Sequence, residues 1–304
     1  MKKNRGEVWV FNGEGYEKET IAAEKLLRFI CENPVGRVSL LYLSTRKVTS
    51  RLYGMYCRTR YSARAIPAFI RDYQVDMSGC KENYDSFTEF FTREKEGIRF
   101  PEELGMLGSP CEGLASVYTD IDPDSQYAAK DSMFSLSELF GDKDMAESYR
   151  GGAIVRLRLT PVNYHRMHFF DDGVIVGTKT IDGALYSVNP LALNRIARLY
   201  CRNKRALIQF SSVNFGDVVL VEVGATFVGS IVHCFESGEQ VSRGQQAGYF
   251  MPGGSLVLMF FRKGAYKPCE SLLNQTAAGF ETKVAVGTPL GCGAEPHVRS
   301  VLNI

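Results

Sequence analysis

The hydrophobic and polar positions divide the chain into a helical N-terminal part and a long β-rich part. Residues 9–11 form a short apolar run before Asn-Gly, which predicts a strand followed by a turn. Between residues 18 and 30 the apolar side chains recur at helical spacing, and Asn-Pro at 33–34 ends that predicted helix. Two more helices are predicted at 66–73 and 86–96, because the apolar positions of each share one face.

After residue 101 the pattern changes to short apolar runs separated by turn signals. Regular spacing of this kind is typical of an all-β core of sandwich or barrel type. Helical interruptions are predicted at 136–140 and 191–200. The predicted strands cover residues 113–118, 152–159, 173–179, 205–210, 216–223, 227–235 and 256–261.

These elements together predict the fold class. The chain has no βαβ alternation, no G-x-G-x-x-G and no P-loop, so nucleotide-binding folds are disfavoured. We therefore predict an α+β protein in which N-terminal helices precede a mainly antiparallel β core, either a sandwich or barrel-like.

Composition excludes several classes of protein. The chain has 304 residues, 45% hydrophobic and 23% charged, which is ordinary for a globular protein. A formal charge of +2 gives no reason to expect a nucleic-acid partner. Eight scattered cysteines without a C-x-x-C pair favour reduced thiols over disulfides or structural zinc. The N-terminus lacks an apolar signal core, and no run approaches the ~20 apolar residues of a membrane span.

A local excess of positive charge changes this picture. Residues 35–70 contain seven Lys or Arg and no Asp or Glu, interleaved with Leu and Tyr. Such a segment fits an amphipathic element drawn to anionic lipid, although a solvated helical pair packed on the main domain would show the same pattern. We expect residues 1–75 to be a helical, membrane-associating region and residues 76–304 to be the β-rich domain with the candidate chemistry. The protein would then lie on a membrane, peripherally.

The first candidate for chemistry is Ser255. It follows Gly253 and Gly254 and begins the apolar run that ends at Phe261. A surface turn is the simpler interpretation, since Gly-Gly-Ser turns are common. Alternatively, the open backbone at Gly254 lets the hydroxyl approach a carbonyl closely.

Two histidines and one glutamate could assist that hydroxyl. His165 and His168 lie in Asn-Tyr-His-Arg-Met-His, and their spacing puts them on one face of a helix but on opposite faces of a strand. A metal site would need a third ligand, and no H-E-x-x-H or nearby Cys supplies one, so acid–base work is favoured. Glu112 lies in Ser-Pro-Cys-Glu-Gly, which by itself is a turn, and neighbouring Cys111 suggests buried packing rather than a nucleophile.

Two reactions are open to these residues. A serine esterase could use Ser255, His168 and Glu112, although the G-x-S-x-G elbow and its α/β sheet are missing. The other reaction is self-directed: the hydroxyl attacks the preceding carbonyl, the amide becomes an ester, and elimination leaves a dehydroalanine. Hydrolysis of that residue gives a pyruvoyl group, a ketone that takes up amines and accepts electrons.

The motifs, taken in order, resemble the phosphatidylserine decarboxylase family, in its branch with Gly-Gly-Ser at the cleavage site. The likeness covers nearly the whole chain, and the joint presence of the motifs is what makes it specific. They are F-T-E-F-F-T-R at 87–93, S-P-C-E-G at 109–113, Y-H-R-M-H at 164–168, L-Y-S-V-N-P at 185–190, V-G-A at 223–225, V-G-S-I at 228–231 and G-G-S at 253–255.

The resemblance implies a role for each candidate residue. Cleavage would fall between Gly254 and Ser255, the two fragments would stay associated, and Ser255 would become the pyruvoyl cofactor. His168 would be the base for self-cleavage, oriented by Glu112, in the logic of a hydrolase triad. His165 would serve the decarboxylation of phosphatidylserine to phosphatidylethanolamine, as the acid that supplies a proton.

Three departures from the family pattern affect these implications. Glu112 replaces the usual Asp, Leu256 replaces the Thr that commonly follows the cleavage serine, and Lys130-Asp131 replaces a Lys-Gly pair. Because the serine and both histidines remain, we expect an active enzyme rather than a silent scaffold. The absence of a transit peptide favours the cytoplasmic face of a bacterial cell membrane over an organelle.

Overall fold

The computed structural model shows an α+β protein whose core is rich in strands. The predicted fold class is therefore confirmed, and its sheets are mainly antiparallel. The predicted helix at 18–30 lies almost entirely outside the residues that the structure describes. Those residues are 8–19, 47–124, 127–129, 132–186, 198–224, 231–253 and 255–293.

A ten-stranded sheet dominates the molecule. Its strand order is β13-β9-β10-β11-β15-β7-β4-β17-β1-β2, and within the described residues this order does not close into a barrel. All neighbours are antiparallel except β1 and β17, which pair in parallel. The strands are β1 (Trp9–Phe11), β2 (Tyr16–Lys18), β4 (Gly113–Thr119), β7 (Ala153–Leu159), β9 (Gly173–Ile181), β10 (Arg205–Ser212), β11 (Gly216–Gly224), β13 (Gln240–Val241), β15 (Ser255–Phe261) and β17 (Glu281–Val284).

Smaller sheets flank the large one. A three-stranded sheet has the order β12-β14-β8, a second has the order β16-β18-β3, and β5 pairs with β6. The predicted strand at 227–235 is confirmed only as β12, because residues 225–230 lie outside the described part of the chain. These strands are β3 (Met106–Gly108), β5 (Tyr127–Ala129), β6 (Ser132–Phe134), β8 (Arg166–His168), β12 (Ile231–His233), β14 (Gln246–Phe250), β16 (Tyr266–Pro268) and β18 (Pro289–Gly293).

The described helices are short. The two predicted at 66–73 and 136–140 are confirmed, whereas only the end of the one predicted at 191–200 falls in the described residues. No helix among the described residues is both long and apolar enough to cross a membrane. The helices are α1 (Lys47–Cys57), a 3-10 helix (Arg60–Ala65), α2 (Ile66–Tyr73), α3 (Phe87–Phe91), α4 (Leu136–Phe140), α5 (Lys143–Glu147), α6 (Leu199–Arg202) and α7 (Glu270–Ala277).

Helix α3 begins where the sequence predicts and ends five residues early. The Ser86 side chain accepts a hydrogen bond from the Glu89 amide at 3.2 Å, which satisfies one of the free donors of the first turn. Thr92 then leaves the helical conformation, and the Glu96 amide turns back to the Gly79 carbonyl at 2.8 Å. This turn brings the aliphatic stem and guanidinium of Arg93 into the interior.

Strand β15 lies in the middle of the large sheet and is buried along its whole length. Its alternate residues pack in two different hydrophobic clusters, one on each face of the sheet. Val257, Met259 and Phe261 belong to the first face, and Leu256, Leu258 and Phe260 belong to the second. A strand covered on both faces needs a continuous apolar run, which explains the pattern of residues 256–261. By the same alternation, the Ser255 side chain lies on the first face.

A buried ion-pair network joins β7 to β17 and to the N-terminal segment. Glu281 accepts hydrogen bonds from Arg156 at 2.8 Å and from Arg158 at 2.6 Å, and Arg158 also pairs with Glu19 at 2.8 Å. All four side chains are almost fully buried. An unpaired buried charge destabilises the folded state, so each arginine here needs the carboxylate beside it as a counter-charge.

Removal of Glu281 should therefore destabilise the fold strongly. We expect Glu281→Ala to lower the free energy of unfolding by about 3–5 kcal/mol, because two buried guanidinium groups lose their counter-charge. Urea unfolding followed by circular dichroism measures the change. The matched control is Lys283→Ala on the same strand, where the pair with Glu17 is exposed and should contribute less than about 1 kcal/mol. Equal losses in the two variants would show that the network does not hold the strands together.

Candidate active site

Ser255 lies at the first position of β15, at the end of the large sheet. Its neighbours across the two adjoining strands are Gly224 on β11 and Leu159 on β7, and its side chain is wholly buried. Just before it, Gly253 has a φ of 147°, a conformation that favours glycine. The chain thus turns sharply before the strand begins. Gly254 lies outside the described residues.

His165 is the imidazole that meets the Ser255 hydroxyl. Ser255 Oγ lies 3.4 Å from His165 Nδ1, and His165 Nε2 lies 3.0 Å from the Thr160 carbonyl oxygen. Because a carbonyl can only accept, Nε2 carries the proton and Nδ1 presents its lone pair to the hydroxyl. The ring is fully buried and stacks on Phe91, with 4.0 Å between ring centroids.

The surroundings of His165 keep its imidazole neutral. Burial is the main cause that lowers its pKa to about 3, and the positive charge of Arg93 adds to this, against the opposing hydrogen bond to Thr160. At neutral pH the ring is therefore a proton acceptor. A neutral Nδ1 directed at a serine hydroxyl is the geometry of a general base.

Glu112 is linked to His165 through two intermediate residues. Its Oε1 accepts a hydrogen bond from Asn163 Nδ2 at 2.8 Å, and Asn163 Oδ1 accepts from the Thr160 amide at 2.7 Å and hydroxyl at 2.8 Å. Thr160 in turn offers its carbonyl to His165. The carboxylate thereby fixes the loop that positions the His165 ring.

His168 has a different environment. Its Nδ1 lies 3.0 Å from the Gly244 carbonyl oxygen and its Nε2 lies 3.2 Å from the Tyr164 hydroxyl. Burial lowers its pKa, helped by the charge of Arg166 and opposed by the Gly244 hydrogen bond.

The structure therefore brings Ser255 together with His165, whereas the resemblance implied His168 as its partner and Glu112 as the group that orients His168. The reason is local geometry. His168 ends the extended strand β8, and His165 lies just before that strand. Because residues three apart in extended chain lie on opposite sides, the two rings do not face the same group.

A carboxylate–imidazole pair that is not among the residues predicted from the sequence, Glu222 with His233, lies on the elements beside Ser255. Glu222 pairs with Val257 across β11 and β15, two residues along from the Gly224–Ser255 pair, so its side chain shares the face of Ser255. It is buried and lies 2.7 Å from His233 Nε2. Burial lowers the pKa of His233, but the hydrogen bond and charge of Glu222 outweigh it and raise the pKa overall. The sequence signal was available: Glu222 interrupts an otherwise apolar strand.

The three departures from the family pattern have different structural settings. Leu256 packs on the second face of the sheet, so its side chain points away from Ser255 and the replaced hydroxyl would not have shared the site. Glu112 still reaches the site, through Asn163. Residues 130–131 lie outside the described part of the chain. Cys111 is fully buried, and burial together with the charges of Glu112 and Glu222 raises its pKa, which suits packing and not nucleophilic attack.

The fold and the site define an enzyme-like centre in which a buried serine, placed directly after a glycine-rich turn, meets a neutral imidazole. Comparison with known proteins gives the family. Residues 85–292 match the family model described as phosphatidylserine decarboxylase. This chain belongs to the phosphatidylserine decarboxylase family, and the membership predicted from its motifs is confirmed.

The relatives share most of their length with this chain. One, named phosphatidylserine decarboxylase proenzyme, from Clostridium botulinum (strain Alaska E43 / Type E3), is 40% identical over 281 residues, which are 91% of this chain and 95% of that protein. A protein of the same name from Ruminiclostridium cellulolyticum is 41% identical over 281 residues, 91% of this chain and 94% of that protein. Another, from Clostridium perfringens (strain SM101 / Type A), is 39% identical over 285 residues, 91% of this chain and 96% of that protein.

Proposed function

We propose that this chain is a proenzyme that cuts itself between Gly254 and Ser255 and then decarboxylates phosphatidylserine to phosphatidylethanolamine. The observation that carries the proposal is the position of Ser255, whose wholly buried hydroxyl begins β15 directly after the Gly-Gly turn and lies 3.4 Å from His165 Nδ1. Relatives that are about 40% identical over 91% of the chain bear the name proenzyme, which supports a processing step.

The self-cleavage consumes only water and needs no external oxidant. Ser255 Oγ bonds to the Gly254 carbonyl carbon, the amide bond to the Ser255 nitrogen breaks, and an ester results. Loss of the Ser255 Cα proton then breaks the bond between Cβ and Oγ, releasing the Gly254 carboxylate and leaving dehydroalanine. Water replaces its nitrogen, which departs as ammonia, and a pyruvoyl group remains at residue 255.

The surroundings of residue 255 fit a pyruvoyl group. Opposite it on β11 stands Gly224, which has no side chain, and its own side chain faces His165 in a site closed to bulk water. Such a group supplies a ketone that takes up the amine of the substrate and accepts electrons as carbon dioxide leaves. The chain's own residues have to position the substrate, exclude water and deliver one proton.

We assign the two histidines as the resemblance implies. His165 handles the proton at residue 255 during decarboxylation, and its contact with that residue supports this role. His168 is assigned as the base for self-cleavage from the resemblance; it lies on β8 opposite Gln246, at the start of β14. In this role His168 has to release the Tyr164 hydroxyl, and Glu112 acts by holding the loop of residues 160–164 in place.

An external ester is a poor substrate for this arrangement. In the uncut chain Ser255 is wholly buried beneath the sheet end, so its hydroxyl meets its own backbone more readily than a separate molecule. Phosphatidylserine has to reach residue 255 only after the bond between Gly254 and Ser255 is cut. The two activities differ in products. Purified protein mixed with phosphatidylserine in detergent micelles should release carbon dioxide and phosphatidylethanolamine in equal amounts. Release of fatty acid or free serine without phosphatidylethanolamine would instead identify an esterase.

The two fragments should remain one body after cleavage. Strand β15 would begin the smaller fragment, yet it lies between β11 and β7 of the larger one. Glu281 would also belong to the smaller fragment and would keep its buried pairs with Arg156 and Arg158. The proposed product is therefore a heterodimer of residues 1–254 and 255–304.

The surface around α1 and the 3-10 helix is where we propose that the protein meets a membrane. Leu52, Met55 and Tyr61 are 61%, 59% and 62% exposed, which is unusual for large apolar side chains that share one surface. Arg51, Arg58, Arg60 and Arg64 are exposed among them. Apolar groups ringed by arginines suit the headgroup region of an anionic bilayer. A peripheral position on the cytoplasmic face of a bacterial membrane follows from this proposal.

Charge reversal on this surface should weaken membrane binding. Each arginine near an anionic surface contributes about 1 kcal/mol, so Arg51→Glu with Arg58→Glu should reduce binding to phosphatidylglycerol-containing liposomes by at least ~30-fold. Sedimentation of liposomes at low salt measures this, and added salt should weaken wild-type binding.

The matched control reverses the same number of charges away from this surface, with Arg262→Glu and Lys263→Glu in the exposed turn that follows β15. The control should bind as the wild type does. Equal loss in both double variants, or binding that ignores salt, would refute an electrostatic contribution of the α1 surface.

A further inference from the structure

Arg93 differs from the other buried arginines in how little of its charge and hydrogen-bonding capacity is compensated. Arg156 and Arg158 pair with carboxylates. Arg205 forms no ion pair with a carboxylate of the described residues, but its guanidinium donates to four carbonyl oxygens, three of them at 2.6–2.8 Å. Arg93 is only 4% exposed, and in the part of the chain that the structure describes no carboxylate forms an ion pair with it.

The hydrogen bonds of Arg93 are few and long. Nη1 lies 3.4 Å from the Phe90 carbonyl oxygen and Nη2 lies 3.3 Å from the Val162 carbonyl oxygen. Its Nε is buried and has no hydrogen-bond partner within the described ranges of the chain. A guanidinium has five N–H donors, so most of its capacity is unused. The guanidinium also lies over the Phe90 ring, 5.1 Å from its centroid, which compensates only part of the cost of burying the charge. The unused N–H donors are suited to an anion.

Arg93 also lies between the site and the proposed membrane surface. It lies two residues after Phe91, whose ring stacks on His165, and its charge lowers the pKa of that histidine. On the other side, Phe90 and Phe91 pack in one hydrophobic cluster with Cys57 of α1. A lipid that enters from the α1 surface with its headgroup toward residue 255 would meet Arg93 on the way.

We propose that Arg93 binds the phosphate of the lipid substrate, holding the headgroup so that its serine moiety reaches residue 255. This proposal rests on the proposed function. A guanidinium matches a phosphate with two parallel, charge-assisted hydrogen bonds. The long contacts to Phe90 and Val162 are the bonds that the phosphate would replace.

The substrate also carries a carboxylate, but chemistry favours the phosphate as the partner of Arg93. The carboxylate loses its negative charge as carbon dioxide leaves, so a cation bound to it would stabilise the ground state more than the transition state and slow the reaction. The phosphate keeps its charge throughout. A cation held on the phosphate therefore strengthens binding without opposing the chemical step.

The test compares two substrates in one set of enzymes. Short-chain phosphatidylserine carries the phosphate, whereas an O-alkylserine of similar length presents the same serine headgroup without it. Arg93→Met should reduce kcat/KM for phosphatidylserine by about 10- to 100-fold, mainly through KM, and should change kcat/KM for the O-alkylserine by less than about threefold. For Arg93→Lys, kcat/KM for phosphatidylserine should lie between those of the wild type and Arg93→Met. Lysine keeps the positive charge but lacks the planar guanidinium that binds a phosphate through two parallel hydrogen bonds.

Controls separate this proposal from the proposed function. Arg99→Met removes an exposed guanidinium from the same segment and should leave both substrates unaffected. Equal losses of kcat/KM on the two substrates, which leave the preference for the phosphate-bearing substrate unchanged, would overturn the role of Arg93. Should Arg93→Met fail to fold, the substrate preference of Arg93→Lys decides in the same way. A wild-type protein that neither cleaves itself nor decarboxylates would instead refute the proposed function.

Discussion

Ser255→Ala is expected to leave one uncut chain of 304 residues that has no decarboxylase activity. Alanine lacks the hydroxyl that attacks the Gly254 carbonyl and also the atom from which the ketone is made. The buried methyl group occupies the same position at the start of β15, so the fold should persist. Denaturing electrophoresis and a carbon dioxide release assay measure the two effects.

The control for this variant is another buried serine. Ser212 donates a 2.5 Å hydrogen bond to Asp171 at the far end of β10, where no role in cleavage is proposed. Ser212→Ala should lose some stability and still yield two fragments. A Ser255→Ala protein that is still cut would place the cleavage site elsewhere in the chain.

Substitution of the two histidines should separate processing from turnover. We expect His168→Ala to accumulate as an uncut chain, because the base for the Ser255 hydroxyl is removed. We expect His165→Ala to be cut, and its turnover to fall by about 10²–10⁴-fold, the usual contribution of a positioned acid or base. Electrophoresis reports the cut, and phosphatidylethanolamine formation by the processed protein reports the turnover.

The opposite pair of phenotypes would contradict this assignment in an informative way. An uncut His165→Ala chain together with a normally processed His168→Ala chain would mean that the observed contact of His165 with Ser255 is itself the cleavage contact. His233→Gln is the matched control, since that imidazole pairs with Glu222 and has no proposed part in cleavage. It should be processed like the wild type.

Local patterns predict most strands of the large sheet, because these strands bury one or both faces in two hydrophobic clusters that they share. The run 256–261 is continuous because β15 is covered on both faces, and the observed strand is Ser255–Phe261. The order of the strands could not be predicted. Strand β1 pairs in parallel with β17, near the other end of the chain, and no residue of either strand encodes that partner locally.

The site was predictable where its residues carry chemistry in a recognisable motif. Ser255, His165 and Glu112 all lie at the site, and the motifs named the family correctly. The contacts between them were not predictable, because Asn163 and Thr160 connect Glu112 to His165 through a loop whose shape depends on tertiary packing.

Arg93 shows a different limit of the sequence. It lies in the motif F-T-E-F-F-T-R and inside the helix predicted at 86–96, and nothing in that pattern distinguishes it from an exposed arginine. Only the early end of α3 turns it inward, and only the fold shows that it has no carboxylate there among the described residues. Whether a buried charge has a counter-charge depends on the three-dimensional arrangement, which a single sequence does not display.

The central claim is that residue 255 is converted after the chain cuts itself, and the intact mass of the purified wild-type protein under denaturing conditions tests it most directly. Two masses are predicted. One is that of residues 1–254, and the other is that of residues 255–304 less one ammonia, as a pyruvoyl group requires. A single mass for the intact 304-residue chain in a preparation that decarboxylates phosphatidylserine would contradict the claim. So would a smaller fragment that begins with an unmodified serine.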